Sequence, residues 1–277
     1  MTVRFGLDVA QHQLTWDEIL GRTRLAEEAG FEGAWVFDHF TALYADPDGP
    51  CLEGWTLLAA LGAATERIRL GTLVTGMTHR HPSLLATEVV TVDHVSDGRV
   101  ECAVGAAWNV DEHRELGFGF PSVRERAERL EEGVKVLRLL MSGERVSFDG
   151  WHHRLQDALY RPAPVQRPHP PIWIGASGRE LMLPIVGRQA DVWHTWGGRY
   201  AEKWEVVRRA AEEAGRDPAT IVRASSLSIS EPWDEVRRAF DSHVANGVTY
   251  LVIDWPSEGR ARLERFLERV MPELSEG

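Results

Sequence analysis

The amino-acid sequence predicts an α/β protein, a single closed (β/α)8 TIM barrel over residues 1–277. Short β-type segments alternate with longer amphipathic segments eight times, which indicates βαβ units and a parallel sheet. An open dinucleotide-binding sheet would carry Gly-x-Gly-x-x-Gly after its first strand. Here that position reads LDVAQHQ and contains no glycine. Eight βα units in a chain of this length instead fit the closed barrel.

The predicted barrel strands are short runs rich in β-branched, aromatic and small residues. They cover residues 4–10, 33–39, 67–75, 100–106, 170–176, 191–196, 221–230 and 250–256.

The segments between these strands carry start and stop signals for helices. Thr15 is the expected N-cap of the first helix, Glu18 completes a capping box, and Gly30 follows its last turn. The helix after the fourth strand ends at Gly143. It places four apolar residues on one face at helical spacing, namely Leu130, Val134, Leu137 and Met141.

One segment, residues 144–169, interrupts the alternation between the fourth helix and the fifth strand. Asp149-Gly150 between β-type flanks predicts a hairpin, and a proline-rich connector follows it. We expect this insertion to lie on the active-site side of the barrel. Together with the loops after strands seven and eight, it would shape the substrate pocket.

Composition limits the possible partners and compartments. The net charge of −11 argues against a nucleic-acid partner. Two cysteines, Cys51 and Cys102, without C-x-x-C spacing suit a reducing compartment. The amino terminus lacks the apolar region of a secretion signal, and the apolar stretch 57–64 is far shorter than the roughly 20 residues that span a bilayer. We expect a cytoplasmic protein that acts on a small molecule and does not bind membranes.

Functional side chains of such barrels gather where the strands end. The fifth strand ends in Gly175-Ala176-Ser177-Gly178-Arg179. Glycines and a serine at a helix start can bind phosphate through backbone N–H groups, and an arginine adds a further donor. A simple strand-to-helix turn would give the same pattern, so both interpretations stay open.

Asp38 and His39 follow the second strand directly. A histidine there can act as a general base or acid, or it can be a loop histidine that a neighbouring carboxylate holds. Trp108 and Trp196 also fall at strand ends, where their rings could face a planar ligand or pack in the core. Trp35, Trp173, Trp193 and Trp255 lie within strands and are expected in the core.

A metal site is not expected. A barrel metallohydrolase would carry His-x-His after its first strand, and this chain has only His12 there. His79-Arg80-His81 has that spacing, but its arginine would repel a metal ion and no acidic residue or cysteine stands nearby in the sequence. His152-His153 lies in the hairpin insertion and is expected to be solvated.

Six blocks in fixed order resemble the luciferase-like monooxygenase superfamily, most closely the branch that uses the deazaflavin coenzyme F420 rather than FMN. They include VFDHF, IRLGTLVTGMTHRHPSLLA and PPIWIGASGRE, and they cover residues 36–40, 68–86, 91–121, 129–140, 146–155 and 161–180. The resemblance implies a (β/α)8 barrel with the flavin bound at the carboxyl ends of the strands.

The resemblance also implies roles for individual residues. His39, flanked by Asp38, would lie beside the reactive face of the flavin, and Leu73-Val74 would be a bulged shelf, often with a cis peptide, under its ring. The expected cofactor-binding set is Asp38, Leu73, Val74, Thr75, Ala106, Ala107, Trp108, Asn109, Gly175, Ala176, Ser177, Gly178 and Arg179. Of these, Gly175, Ala176, Gly178 and Arg179 match the family's phosphate site.

One position departs from the family pattern. Sugar-phosphate dehydrogenases of the family carry glutamate where this chain has Trp108, which indicates an apolar or aromatic substrate or a different proton relay. We therefore expect hydride transfer between F420 and a small organic substrate, with His39 and Asp38 as catalytic residues. The alternatives are an FMN-dependent monooxygenase supplied by a separate reductase, and a flavin-binding protein without turnover. The resemblance also implies a possible homodimer.

Overall fold

The computed structural model describes residues 2–44 and 46–275, and its main sheet closes into a parallel barrel. The strands are β1 (Arg4–Asp8), β2 (Gly33–Val36), β3 (Arg69–Thr72), β4 (Thr75–Gly76), β5 (Val100–Gly105), β6 (Arg145–Asp149), β7 (Arg154–Leu159), β8 (Ile172–Gly175), β9 (Val192–Thr195), β10 (Val222–Leu227) and β11 (Tyr250–Ile253). The sheet order is β3-β2-β1-β11-β10-β9-β8-β5-β4, and β3 also pairs with β5. Since β3 and β4 together form one barrel strand, the barrel has the eight strands that were predicted.

Helices follow the barrel strands on the outside of the sheet. They are α1 (Trp16–Glu28), α2 (Gly54–Ala64), α3 (Pro82–Val95), α4 (Val110–Glu115), α5 (Val123–Met141), α6 (Met182–Gln189), α7 (Tyr200–Glu213), α8 (Trp233–Ala245), α9 (Arg260–Arg269) and α10 (Met271–Ser275). In the part of the chain that the structure describes, none of these helices combines the length and apolar character needed to cross a bilayer.

The local signals in the sequence correspond to the observed helix ends. Thr15 and Glu18 form the predicted capping box on α1, and Gly30 follows this helix with a φ of +79°. Such a left-handed backbone is the conformation that favours glycine. The predicted apolar stripe of α5 is fully buried. The strands are shorter than predicted because their last residues turn out of the ladder into the loops that form the site.

Large aromatic side chains fill the inside of the barrel. Trp35 and Trp173 lie with ring centroids 4.5 Å apart, and Trp35 donates to the hydroxyl of Tyr250 at 3.2 Å. Trp173 donates to the buried carboxylate of Glu101 at 2.7 Å. These contacts confirm Trp35 and Trp173 as core residues. The interior is therefore packed, and a ligand can bind only where the strands end.

The insertion forms the antiparallel hairpin β6–β7, whose tip binds to α5 on the outside of the barrel. It joins α5 to β8, and a connection from helix to strand starts at the end of the barrel opposite the active-site loops. The Glu132 carboxylate of α5 accepts from the backbone N–H groups of residues 151–153. Asp93 of α3 accepts from those of Val165 and Gln166. None of its described residues lines the cavity at the mouth of the barrel, and its expected role in shaping the substrate pocket stays a prediction.

Candidate active site

A cavity of about 550 Å³ opens at the carboxyl ends of the strands. Its wall comes from the loops that follow β2, β4, β5, β8 and β9. The described residues that line it are Phe37, His39, Leu43, Tyr44, Leu73, Val74, Gly76, His79, Gly105, Ala106, Ala107, Trp108, Asn109, His113, Gly175, Ala176, Ser177, Gly178, Met182 and Trp196. None of these is Lys, Arg, Asp or Glu. The loops after β10 and β11, which were expected to contribute, are not part of this lining.

Val74 forms the cavity floor together with two glycines. The Leu73-Val74 peptide bond is cis, as the resemblance predicted. A Cβ placed on Gly105 would lie 2.7 Å from a methyl group of Val74, and one on Gly175 would lie 2.9 Å from the other methyl. Since real Cβ atoms do not approach so closely, both positions require glycine. Thr75, in contrast, is buried below the floor, where its hydroxyl accepts from Trp55 Nε1 at 2.9 Å.

His39 lines the cavity, and on the side away from the cavity it binds the buried carboxylate of Glu112. The sequence did not lead us to predict Glu112 as a site residue. The Nδ1 of His39 lies 2.9 Å from Oε2 of Glu112, and the Glu112 side chain is fully buried. Oε1 of Glu112 accepts from the backbone N–H groups of Phe40 and Thr41. Burial alone would raise the pKa of Glu112, but the His39 contact and these N–H groups lower it to about 2. Glu112 is therefore ionised and accepts the Nδ1 proton, which leaves Nε2 of His39 free for a ligand.

Asp38 does not lie on the cavity surface. Its carboxylate is fully buried and accepts from Arg80 Nη1 at 2.5 Å and Nη2 at 3.1 Å. Burial would raise the pKa of Asp38, but contacts with His79 and Arg80 lower it. Arg80 also lies 3.2 Å from both Glu53 and Glu88. One guanidinium thus binds both carboxylate oxygens of Asp38, and its expected roles in catalysis and cofactor binding stay predictions.

The three residues of the His79-Arg80-His81 motif point to different places. Arg80 binds Asp38, and His81 caps α3, where its Nδ1 accepts from the backbone N–H of Ser83 at 3.1 Å. The ring of His79 turns inward and lies close to the rings of Phe40 and Phe118. The two histidines therefore do not share a ligand.

His79 also lies near Glu112 and His113, and nitrogen or oxygen atoms of these three residues come within 4.8 Å of one another. However, Nδ1 of His113 lies 2.6 Å from the Asn109 carbonyl and its Nε2 lies 2.7 Å from the Thr78 hydroxyl. Both His113 nitrogens therefore already have partners and are not free to bind a cation, so the absence of a metal stays our prediction.

The Gly175–Arg179 segment is only partly in the cavity. Its first four residues line the wall, and the Ser177 hydroxyl lies 2.9 Å from that of Thr195. The expected helix start is wrong, since α6 begins at Met182 and Arg179 lies in the turn before it. Arg179 is exposed, pairs with Glu202 at 3.0 Å and is not among the lining residues. Its predicted contact with a phosphate stays a prediction.

Two tryptophans stand at the edge of the cavity. Trp108 is 63% exposed and Trp196 is 45% exposed, so neither is a core residue. The ring of Trp108 meets that of His39 edge-on, with centroids 5.6 Å apart. Trp108 lies with Ala106, Ala107 and Asn109 on the wall that follows β5. Their expected contact with the cofactor stays a prediction.

A signal for Glu112 was present in the sequence. Asn109 is the N-cap of α4, and its side chain accepts from the backbone N–H of Glu112 at 3.3 Å. An N-cap residue followed three positions later by glutamate indicates a helix start. Because this start comes directly after a barrel strand, that glutamate belongs to the region of the site.

Comparison with known proteins agrees with this architecture. The model of the luciferase-like monooxygenase family matches residues 1–271. An F420-dependent glucose-6-phosphate dehydrogenase from Microbacterium testaceum is 35% identical over 73% of this chain and 60% of its own length. An F420-dependent hydroxymycolic acid dehydrogenase from Mycobacterium tuberculosis is 31% identical over 80% of this chain and 61% of its own length. This chain thus spans about three fifths of these two relatives.

A solved structure of an F420-dependent secondary alcohol dehydrogenase in complex with an F420-acetone adduct has a similar fold. It superposes with a TM-score of 0.87 over 98% of this chain and 99% of that one, at 20% sequence identity. The shared fold agrees with the match of the family model to nearly the whole sequence. The protein therefore belongs to the luciferase-like monooxygenase family.

Proposed function

We propose that this protein is an F420-dependent oxidoreductase that transfers a hydride between the deazaflavin and a small, uncharged alcohol or ketone. The observation that carries the proposal is the pairing of His39 with Glu112 on the wall of the cavity whose floor is formed by Val74. The F420-dependent relatives, both dehydrogenases, support the choice of cofactor and reaction.

The cavity fits a flat flavin-type ring system. Val74 with Gly105 and Gly175 provides a surface free of further side chains, on which such a ring can lie. The backbone of residues 175–178 and the Ser177 hydroxyl would bind the polar tail of the cofactor, with Arg179 at the edge. A bound F420 would supply the acceptor or donor of the hydride.

The residues of the chain would handle the proton. In the oxidation of an alcohol to a ketone, Nε2 of His39 would accept the proton of the substrate hydroxyl, and the hydride of the carbon would go to the bound F420. In the reverse direction His39 would return this proton to the carbonyl oxygen. Glu112 would keep the imidazole in the tautomer that has its lone pair on Nε2.

The lining indicates an apolar substrate body. No Lys, Arg, Asp or Glu belongs to the described residues of the cavity wall, whereas Trp108, Trp196 and Tyr44 do. A sugar phosphate would leave its charge without a partner in such a cavity, and burying an unpaired charge is costly. An apolar alcohol or ketone would instead gain contact with the aromatic rings.

The cofactor is tested by titration of the purified protein with F420 and with FMN, each followed by its fluorescence. We expect saturable binding of F420. Binding of FMN with none of F420 would refute the proposal and favour a monooxygenase that depends on a reductase. Binding of F420 without turnover across a panel of alcohols and ketones would favour a non-catalytic protein. Sedimentation of the same samples would test the expected homodimer.

The role of His39 is tested with the variant His39→Ala. Loss of a general base typically lowers turnover about 10² to 10⁴-fold. We expect this loss in kcat, with a change in the Kd for F420 of less than about tenfold, because the floor and the backbone of residues 175–178 remain. Equal losses of turnover and affinity would make His39 a structural contact.

A further inference from the structure

The ring of His79 lies between two carboxylates behind His39. Its side chain is only 2% exposed, and its Nδ1 is 3.6 Å from Oδ2 of Asp38 while its Nε2 is 3.8 Å from Oε2 of Glu112. Within residues 2–44 and 46–275, neither ring nitrogen has a partner at hydrogen-bond distance. Each nitrogen thus faces a carboxylate oxygen of a different residue.

This arrangement determines which protonation state fits. A neutral imidazole carries one N–H group and one lone pair, so one of its nitrogens would direct a lone pair at a carboxylate oxygen. An imidazolium carries an N–H group on both nitrogens and can offer one to each carboxylate. The rings of Phe40 and Phe118 lie 5.1 and 5.8 Å away and cover part of the His79 ring, which lines the cavity but is only 2% exposed. The carboxylates are therefore the partners within reach.

The charges of the neighbouring groups also favour the imidazolium form of His79. Arg80 compensates Asp38, although it also lies near Glu53 and Glu88. Glu112 is buried and ionised, and the ion-pair partners found for it in the described chain are His39 and His79. Both nitrogens of His113 are occupied by Asn109 and Thr78. A buried carboxylate requires a compensating cation, so one of the two histidines must supply it.

We propose that His79 is this cation, a buried imidazolium that bridges Asp38 and Glu112 and acts as a positioning residue for His39. The ring centroids of His39 and His79 are 6.2 Å apart, so a charge on one opposes a charge on the other. With Glu112 compensated by His79, His39 stays neutral. Its Nδ1–H group donates to Glu112, and its Nε2 keeps the lone pair needed to accept a proton. The effect on catalysis, but not the charge on His79, rests on the proposed function.

The charge on His79 can be measured in the protein without cofactor. Nitrogen-15 NMR of the histidine rings near pH 7 is expected to show a ring protonated on both nitrogens, and the variant His79→Gln should remove this signal. Should His79→Gln fail to fold, neutron diffraction of the unmodified protein would show whether both ring nitrogens carry deuterium. A neutral His79 ring in either experiment would overturn the proposal.

The effect on His39 is the second readout. In His79→Gln the cluster loses one positive charge, so His39 must take up a proton more readily. For charges about 6 Å apart, we expect the acidic limb of the kcat/KM profile for alcohol oxidation to move to higher pH by about one unit or more. An unchanged pH profile would refute the positioning role.

The matched control is His81→Gln, from the same three-residue motif. His81 is exposed and caps α3, away from the Asp38 and Glu112 carboxylates. This variant should change neither the ring signals nor the pH profile. If His79 proves to be charged but no alcohol is oxidised with F420, the proposed function fails while the charge assignment stands.

Discussion

His39 and Glu112, separated by 73 positions in the sequence, form one functional pair at the mouth of the barrel. His39 comes from the loop after β2, and Glu112 from the first turn of α4 after β5. The barrel strand formed by β3 and β4 separates β2 from β5. Because all loops that follow the strands meet at this end of the barrel, one loop can supply the base and another can orient it. The pair depends on the buried charge of Glu112, which can be removed while the shape of the side chain is kept.

Glu112→Gln should lower the stability of the protein and change its dependence on pH. The pKa of Glu112 is about 2 in the folded protein, below its ordinary value of 4.5. A carboxyl group whose pKa is lowered by folding stabilises the fold at pH values above its ordinary pKa. This stabilisation is lost as the pH falls from the ordinary pKa through the pKa in the folded protein. The unfolding free energy of the unmodified protein should therefore fall between pH 4.5 and 2, and less steeply in Glu112→Gln.

Urea unfolding at several pH values measures this difference. At neutral pH we expect Glu112→Gln to lower the free energy of unfolding by about 1–3 kcal/mol, because His39 and the N–H groups of Phe40 and Thr41 lose a charged acceptor. The control is Glu115→Gln on the same helix, where the glutamate side chain is 60% exposed and a surface change should stay within about 0.5 kcal/mol. Parallel pH curves for the unmodified protein and Glu112→Gln would contradict this prediction.

Arg80→Gln should be more destabilising than the loss of an exposed arginine. Its side chain is 7% exposed and binds Asp38 through two nitrogens. Removing one partner of a buried ion pair typically costs about 3–5 kcal/mol. In Arg114→Gln, whose arginine side chain is 70% exposed, the loss should stay below about 1 kcal/mol.

A double variant separates the Arg80–Asp38 pair from the rest of the cluster. Asp38→Asn combined with Arg80→Gln should cost less than the sum of the two single changes, because neither buried charge is then left alone. Additive losses in urea unfolding would mean that the two side chains do not stabilise each other.

The fold was predictable because its signals are local. The capping box at Thr15 and Glu18, the glycine after α1 and the apolar stripe of α5 each depend on residues close together in sequence. The position of the hairpin was predictable for the same reason. How the hairpin packs on the barrel was not predictable, because its contacts with α5 and with His81 join residues far apart in the sequence.

The site was predictable only where a residue directly follows a strand. His39 and the Ala106–Asn109 wall follow strands and line the cavity. The function of His79 depends on the carboxylates of Asp38 and Glu112, which the fold brings to its ring from two other loops. Its own motif contains neither partner, so the motif alone could not distinguish a buried ring from a solvated one.

Trp108→Ala should weaken the binding of apolar substrates with little effect on folding. The residue is 63% exposed and its ring touches that of His39, so loss of an aromatic contact should cost about 0.5–1.5 kcal/mol, a rise in KM of roughly 2- to 12-fold. We expect kcat to change less than KM. Steady-state kinetics with aromatic and aliphatic alcohols measures both.

Trp151→Ala provides the control for Trp108→Ala. Trp151 is 97% exposed on the hairpin and is not among the lining residues of the cavity. Its loss should leave KM unchanged, because Trp151 has no contact with the described residues of the cavity lining. A rise in KM in both variants would show that the hairpin contributes to the substrate pocket after all.

Gly105→Ala should damage the cavity floor and thereby weaken cofactor binding. The new Cβ would lie 2.7 Å from Cγ2 of Val74, so Val74 must move toward the cavity, at a cost of about 1–3 kcal/mol in stability. We expect the Kd for F420 to rise about tenfold or more, measured by fluorescence titration. The control is Gly119→Ala, where nothing lies within 4 Å of the new Cβ. Combining Gly105→Ala with Val74→Ala removes the clashing methyl group and should recover part of the affinity for F420. If Val74 does not contact the cofactor, the Kd for F420 should stay unchanged in both variants, which would contradict the prediction.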